Sequence, residues 1–233
     1  MNRSAFTCCL RKTLGFTVLV ALASCTTVDD HLHQAAATKW AKELGAFDVA
    51  DAKAPPQPGG MLFVGSSSFR LWTNVAAAFP ERRVINRGFG GSQMHELLAL
   101  SDRVVLPYAA AEIFVYEGDN DLAKDKAPSQ IAREFREFAR RIHQRQPAAR
   151  IYFVAIKPSP SRANLLPQAK KTNRLIAEYC AGNSWLKFID VFAPMLDAAG
   201  QPRPELFGPD RLHMNGTGYD LWTRVIRREL GLR

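Results

Sequence analysis

Cysteine is scarce in this sequence and unevenly placed. Of the four present, Cys8, Cys9 and Cys25 fall in the first 25 residues, which leaves Cys180 alone in the remainder. A lone thiol excludes a disulfide framework, so stability has to come from an ordinary hydrophobic core. A long hydrophobic run is missing as well. The apolar stretch Leu14–Ala23 falls short of the roughly 20 residues that a spanning helix needs. It follows Arg3, Arg11 and Lys12 and precedes small residues, which describes a secretory signal over residues 1–24. There is no block of like charge. The formal net charge is +9, three of the positive charges lie in the signal, and the rest are dispersed. In Arg133–Arg145 and Arg224–Arg228 they alternate with apolar residues at helical spacing, as solvated helix faces do, and no nucleic-acid partner is expected.

The signal closes on Leu22-Ala23-Ser24-Cys25, which resembles the lipobox of bacterial lipoproteins. That resemblance implies cleavage before Cys25, lipid attachment to its thiol, and anchoring in a bacterial cell envelope facing the periplasm. Thr26, where an Asp would favour retention, resembles the outer-membrane sorting pattern. Acyl chains on one residue anchor a protein to a membrane without spanning it. Residues 25–60 read as a tether, weakly helical near His33–Leu44, ending in the linker "AKAPPQPGG" at Ala52–Gly60. The domain proper is expected over residues 61–233, long enough for one core and short for two.

From Met61 onward, short apolar runs alternate with amphipathic ones. The runs Met61–Val64, Arg83–Asn86, Glu112–Tyr116, Arg150–Ile156 and Lys187–Val191 read as strands of a sheet covered on both faces. Helical patterns lie between and after them at Phe69–Ala78, Gln93–Ser101, Pro128–Gln146, Arg162–Ala181 and Gly216–Leu230. This alternation predicts an α/β domain, a three-layer α/β/α sandwich with a central parallel five-stranded sheet. Such sheets bind ligands where strands end and loops begin. The loops there read "GSSS", "NRGFGGSQ", "EGDNDLA" and "KPSPSR".

Three hydroxyls directly after a buried strand suggest a nucleophile, which needs a base, an orienter for the base and donors for an oxyanion. Of the five histidines, His31 and His33 lie in the tether, His143 on a basic helix and His95 after the second strand. His213 stands apart, in "GPDRLHMNGTGY", with Asp210 three residues before it at a loop-to-helix junction. That spacing lets a carboxylate hold one ring nitrogen and leave the other free. By spacing alone it describes equally well a turn-capping Asp beside a surface His. "EGDND" offers oxygen ligands, but counted from Asp119 the EF-hand glycine and glutamate positions hold Lys124 and Gln130, so no metal site is expected. Asp119 and Asp121 then shape the turn that presents Asn120. Phe69 and Trp72, at helical spacing, belong to the core.

The blocks "FVGSSS", "NRGFGGS", "GDND" and "DRLH", in this order on alternating α/β structure, resemble the SGNH hydrolases, also called the GDSL esterase family. The resemblance implies a flavodoxin-like fold, ester hydrolysis and no cofactor. Carried across by position, it makes Ser67 the nucleophile, His213 the general base and Asp210 its orienter. The oxyanion donors would be the backbone N–H groups of Ser67 and Gly91 and the side chain of Asn120. Ser66 stands where the family has an acidic residue, a departure that leaves the proton path intact. Ser68 is expected to cap the following helix, and Gly88 and Gly90 to permit a turn. Lys157 and Arg162, in the loop after the fourth strand, are candidate contacts for an anionic group on a substrate. The short loops and block pattern suit a small acyl group, such as acetyl, on a polar or glycan carrier. The contrasting expectation is a non-catalytic envelope lipoprotein that uses the same fold to bind acylated glycan or lipid.

Overall fold

A computed structural model describes residues 30–232. The signal peptide and Cys25 lie outside the described residues. Strands β1 (Met61–Gly65), β2 (Val84–Gly88), β3 (Glu112–Tyr116), β4 (Arg150–Val154) and β5 (Leu186–Ile189) form one sheet in the order β2-β1-β3-β4-β5. Every pairing is parallel. The order reverses beside β1, so a crevice opens between the ends of β1 and β3. Gly65 pairs with both Gly88 and Tyr116, so these three strands end level and their exit loops leave from one line.

Alternate residues of the central strands supply two cores. On one face Phe63 stacks on Phe114 (centroids 4.6 Å) and Phe114 on Tyr152 (4.6 Å). Helices α3 (Ser67–Arg70), α4 (Val75–Ala78) and α10 (Gly216–Glu229) cover that face, with Trp222 against Tyr116 at 5.2 Å. The other face packs on α5 (Met94–Ala99), α8 (Pro128–Arg145) and α9 (Leu166–Ala181), where Phe135 meets Phe153 at 4.7 Å. The strong apolar stripe of α8, from Ile131 through Phe135 and Phe138 to Ile142, is wholly buried, as its spacing requires.

Tertiary packing interrupts several expected helices. The single helix expected over Phe69–Ala78 is the pair α3 and α4, because Trp72 turns inward between them. It is 1% exposed and lies edge-on to Phe63 at 5.8 Å. The expected helix over Gln93–Ser101 divides into α5 and α6 (Ser101–Val104). Residues Pro160–Leu165 form a 3₁₀ turn ahead of α9. A four-residue helix α7 (Asp119–Leu122) follows β3.

The largest correction concerns the expected tether. Residues 30–39 form α1 and Ala41–Lys53 form α2, and both pack on the domain. Trp40, between them, is 6% exposed and meets Phe89 edge-on at 5.2 Å. Polar pairs fasten the arm: Lys39 to Glu96 (2.5 Å), His33 Nδ1 to the Ala99 carbonyl (2.8 Å), Asp51 to Arg87, and Asp48 to Arg103. The sequence pattern of α2 hides this, since Leu44 is its single buried residue, Phe47 packs only partly against the core beneath Arg87, and the remaining contacts are polar.

Beyond β3, Glu117 is fully buried; its Oε1 accepts the Ser92 hydroxyl at 2.5 Å, and no described residue bonds Oε2. Burial, reinforced by the neighbouring Asp121 charge, holds its carboxyl well above the ordinary carboxylate range.

Two outcomes follow for stability. Trp40→Ala should lower the unfolding free energy by about 3–5 kcal/mol in urea titrations, the usual cost of truncating a buried Trp; a loss below about 1 kcal/mol would return the arm to the status of a tether. For Glu117 the folded pKa is raised, so between its unfolded and folded values the native state holds the extra proton and stability falls as pH rises. Glu117→Gln should flatten that decline between pH 5 and 8 and unfold at higher urea than wild type at pH 8. Parallel pH profiles for the two proteins would refute it.

Candidate active site

The site begins with a backbone manoeuvre. Gly65 ends β1 at φ +128°, where a Cβ would lie 2.2 Å from the Tyr116 carbonyl oxygen. Ser66 follows in an extended conformation and Ser67 opens α3. The cap position therefore belongs to Ser66, and the expected capping by Ser68 does not occur: Ser68 is inside the helix and buried. As the first helical residue, Ser67 has no intrahelical acceptor for its N–H.

The other end of the chain supplies the partner. In the turn before α10, Asp210 Oδ1 accepts the N–H groups of Leu212 and His213, both at 2.9 Å. Its Oδ2 lies 2.6 Å from His213 Nδ1, and His213 Nε2 lies 3.0 Å from Ser67 Oγ. The two backbone bonds, and after them the imidazole, hold the Asp210 carboxyl at about 2, so it is ionised at neutral pH. A carboxylate at Nδ1 selects the tautomer with the proton there and the lone pair at Nε2. Asn215 steadies the turn by capping α10 at the Gly218 N–H (3.2 Å) and donating to the carbonyls of Glu205 and Phe207. A hydroxyl, an imidazole lone pair and a carboxylate in series form the arrangement that activates an alcohol for attack on a carbonyl.

The remaining loops converge on Asn120. Its Nδ2 donates to Ser66 Oγ (2.7 Å) and to the Ser92 carbonyl (3.0 Å), while its Oδ1 accepts from the Arg162 guanidinium at 3.3 and 3.4 Å. Asn120 thus joins the exits of β1, β2 and β4. Gly91, beside Ser92, has φ +92°, and its N–H meets no acceptor among the described residues. Ser66 and Ser92 were not expected as partners of Asn120. Their hydroxyl and carbonyl were visible in the sequence, but no spacing rule points them at an amide.

Lys157 corrects the expectation made for it. It is 3% exposed, and its ammonium is held by Asp119 Oδ2 (2.8 Å) and the Tyr116 hydroxyl (3.3 Å). Burial opposes its charge, but Asp119 outweighs burial and raises its pKa. The cavity it lines with Ser159 and Arg162 is about 10 Å³, room for one water at most. Arg162 pairs with Asp119 Oδ1 at 2.6 Å and stays one-fifth exposed at the edge of the site. The acids of "EGDND" are likewise committed. Asp121 accepts the Met94 N–H and, with His95 and Glu134, surrounds the Lys126 ammonium at 2.6–2.9 Å. His95, Asp121 and Glu134 could together ligate a cation, but a lysine fills the space between them.

Among solved structures of the same fold are a GDSL-like lipase from Bacteroides thetaiotaomicron (18% identity, TM-score 0.68, covering 81% of this chain and 97% of that one) and an acetyl-xylooligosaccharide esterase from Geobacillus (16%, TM-score 0.62, 76% and 96%). A candidate platelet activating factor from Streptococcus pneumoniae aligns over 94% of this chain and 100% of its own (19%, TM-score 0.71). No curated protein matches significantly. The sequence model of the GDSL-like lipase/acylhydrolase family matches residues 58–221, from just before β1 into α10. The chain belongs to the GDSL-like lipase/acylhydrolase family.

Proposed function

We propose that this protein is a serine esterase that hydrolyses carboxylic esters of short acyl groups, acetyl foremost, on a polar or glycan carrier. The observation that carries the reading is the hydrogen-bond series from Ser67 Oγ through His213 to Asp210, at 3.0 and 2.6 Å. His213 Nε2 takes the Ser67 proton as Oγ attacks the ester carbonyl. The oxyanion is received by the N–H groups of Ser67 and Gly91 and the Asn120 amide. The departing alcohol leaves with the proton from His213, and water activated at the same nitrogen releases the acid. Asp210, ionised throughout, stabilises the imidazolium in both halves of the cycle. The acetyl preference draws support from the acetyl-xylooligosaccharide esterase of the same fold.

We propose further that Cys25 carries the lipid anchor and that the enzyme faces the periplasm, on the outer membrane. Residues 25–29, at no more than about 3.5 Å each, would keep α1 close beneath that surface.

Ser67→Ala should lower 4-nitrophenyl acetate hydrolysis by about 10⁴-fold or more and abolish labelling by a fluorophosphonate, with little change in the thermal midpoint. Across acyl lengths from acetate to palmitate, wild-type kcat/KM should peak at acetate. Labelling retained in the Ser67→Ala protein would overturn the nucleophile, and a rate rising with chain length would overturn the substrate class. Asn120→Ala should cost about 10²–10³ in kcat with a smaller change in KM; a loss confined to KM would remove Asn120 from the oxyanion site.

A further inference from the structure

The acidic groups around Ser67 each have a partner among the described residues. Asp119 is paired with Lys157 and Arg162, Asp121 with Lys126, and Glu96 with Lys39. Asp210 is occupied by two backbone N–H groups and His213. Ser66, directly before Ser67, is neutral. Glu117 is fully buried with its Oε1 on the Ser92 hydroxyl, and burial opposes its ionised form. Two exposed arginines beside the site make no hydrogen bond or ion pair through the guanidinium with any described residue: Arg211, next to Asp210, and Arg70, which packs on the glycines of the β2 exit.

The position of Arg70 is built rather than incidental. Arg70 closes α3, three residues after Ser67, which sets the two on one side of that turn. Two glycines of the β2 exit receive it. A Cβ at Gly88 would lie 2.3 Å from the Arg70 backbone nitrogen, and a Cβ at Gly90 would lie 2.3 Å from Nε and 3.0 Å from Cζ. The guanidinium therefore rests against Gly90, next to Gly91 and its unengaged N–H. An arginine left unpaired in such a place presents a planar fork of donors suited to a carboxylate or phosphate. Lys157 is buried, and Arg162 shares the Asp119 carboxylate with it and spends further donors on Asn120 Oδ1, so neither is as free as Arg70.

We infer that Arg70 forms an anion subsite at the mouth of the active site, so that the favoured ester carries a carboxylate or comparable anion close to the scissile bond. The inference rests on the esterase reading above and narrows its substrate class to acidic carriers or acidic acyl groups. The test compares matched neutral and anionic esters. Phenyl acetate against 4-acetoxybenzoate places the charge on the alcohol side. The 4-nitrophenyl butyrate and mono-4-nitrophenyl succinate pair places it on the acyl side.

Intrinsic reactivity cancels when the anionic-to-neutral ratio of kcat/KM is compared between proteins. In one of the two pairs, Arg70→Ala should lower that ratio by about tenfold or more, the value of one charge-assisted hydrogen bond. Arg70→Lys should restore some of it, and about 0.5 M salt should shrink the wild-type preference. Arg174→Ala, which removes the same charge from an exposed pair with Glu178 on α9, should leave the ratio unchanged. A ratio that stays within twofold of wild type in both pairs for Arg70→Ala, or that falls equally for Arg174→Ala, overturns the subsite. Binding measured on the Ser67→Ala protein separates this from failure of the esterase reading. Without turnover, calorimetry should show 4-acetoxybenzoate bound more tightly than phenyl acetate, or the succinate monoester more tightly than the butyrate, and adding Arg70→Ala should erase the difference. Equal binding within both pairs overturns the subsite whatever the turnover data show.

Discussion

A side chain at position 65 would collide with the Tyr116 carbonyl, and the layout of the site follows from that contact. β1 and β3 end level, with Gly65 opposite Tyr116, and the chain must leave between them. With φ at +128°, Gly65 turns out of the sheet while its neighbours stay bonded to both sides. The Ser66 N–H reaches the Tyr116 carbonyl at 2.9 Å, and the Phe89 N–H reaches the Gly65 carbonyl at 2.7 Å. One residue thus fixes where Ser67 emerges and where the Gly91 loop begins. Any L-residue with a Cβ would have to open the sheet at its centre, where Phe63, Val64, Phe114 and Val115 are fully buried.

The buried charges serve orientation more than stability. Asp119, Lys157 and Arg162 form a network in which each charge has a partner, and such networks contribute little net stability against their desolvation. Their effect is on Asn120, the next residue. Asp119 anchors Arg162, Arg162 holds the Asn120 carbonyl oxygen, and the amide nitrogen is thereby turned toward Ser66 and Ser92. Lys126 does the same for Asp121. By holding that carboxylate it sets the oxygens that accept the Met94 N–H and start the helix after the β2 exit loop.

The fold was legible because a parallel sheet buried on both faces leaves short apolar runs that no solvated element imitates. All five strands form within a few residues of their expected limits. The Ser67, Asp210 and His213 positions were legible through motif order, and the turn geometry then brought them into contact across 146 positions of sequence. What escaped the sequence depends on pairing between distant charges. Lys157 looks like an exposed loop cation until Asp119 and Tyr116 are seen around it. The arm of residues 30–53 looks like a tether because its buried stripe is sparse, only Ala36, Trp40 and Leu44, and the rest of its attachment depends on pairing with distant charges. Trp72 ended a helix that its own spacing had extended, since burial of an indole outweighs a turn of helix propensity.

The resting state of Asn120 bears on how the site would discriminate. Both of its amide hydrogens are engaged, one by the neutral hydroxyl of Ser66 and one by a backbone carbonyl. A substrate carbonyl is no better an acceptor than the Ser66 hydroxyl, so displacing that hydroxyl in the ground state gains nothing. An oxyanion is a far stronger acceptor, since charge-assisted bonds are roughly twice as strong as neutral ones. The exchange then becomes favourable only as negative charge develops on the carbonyl oxygen, which is the condition for raising kcat rather than lowering KM. The uncharged Ser66 leaves the donor bound loosely enough to move and leaves the field of the unpaired Arg70 unopposed.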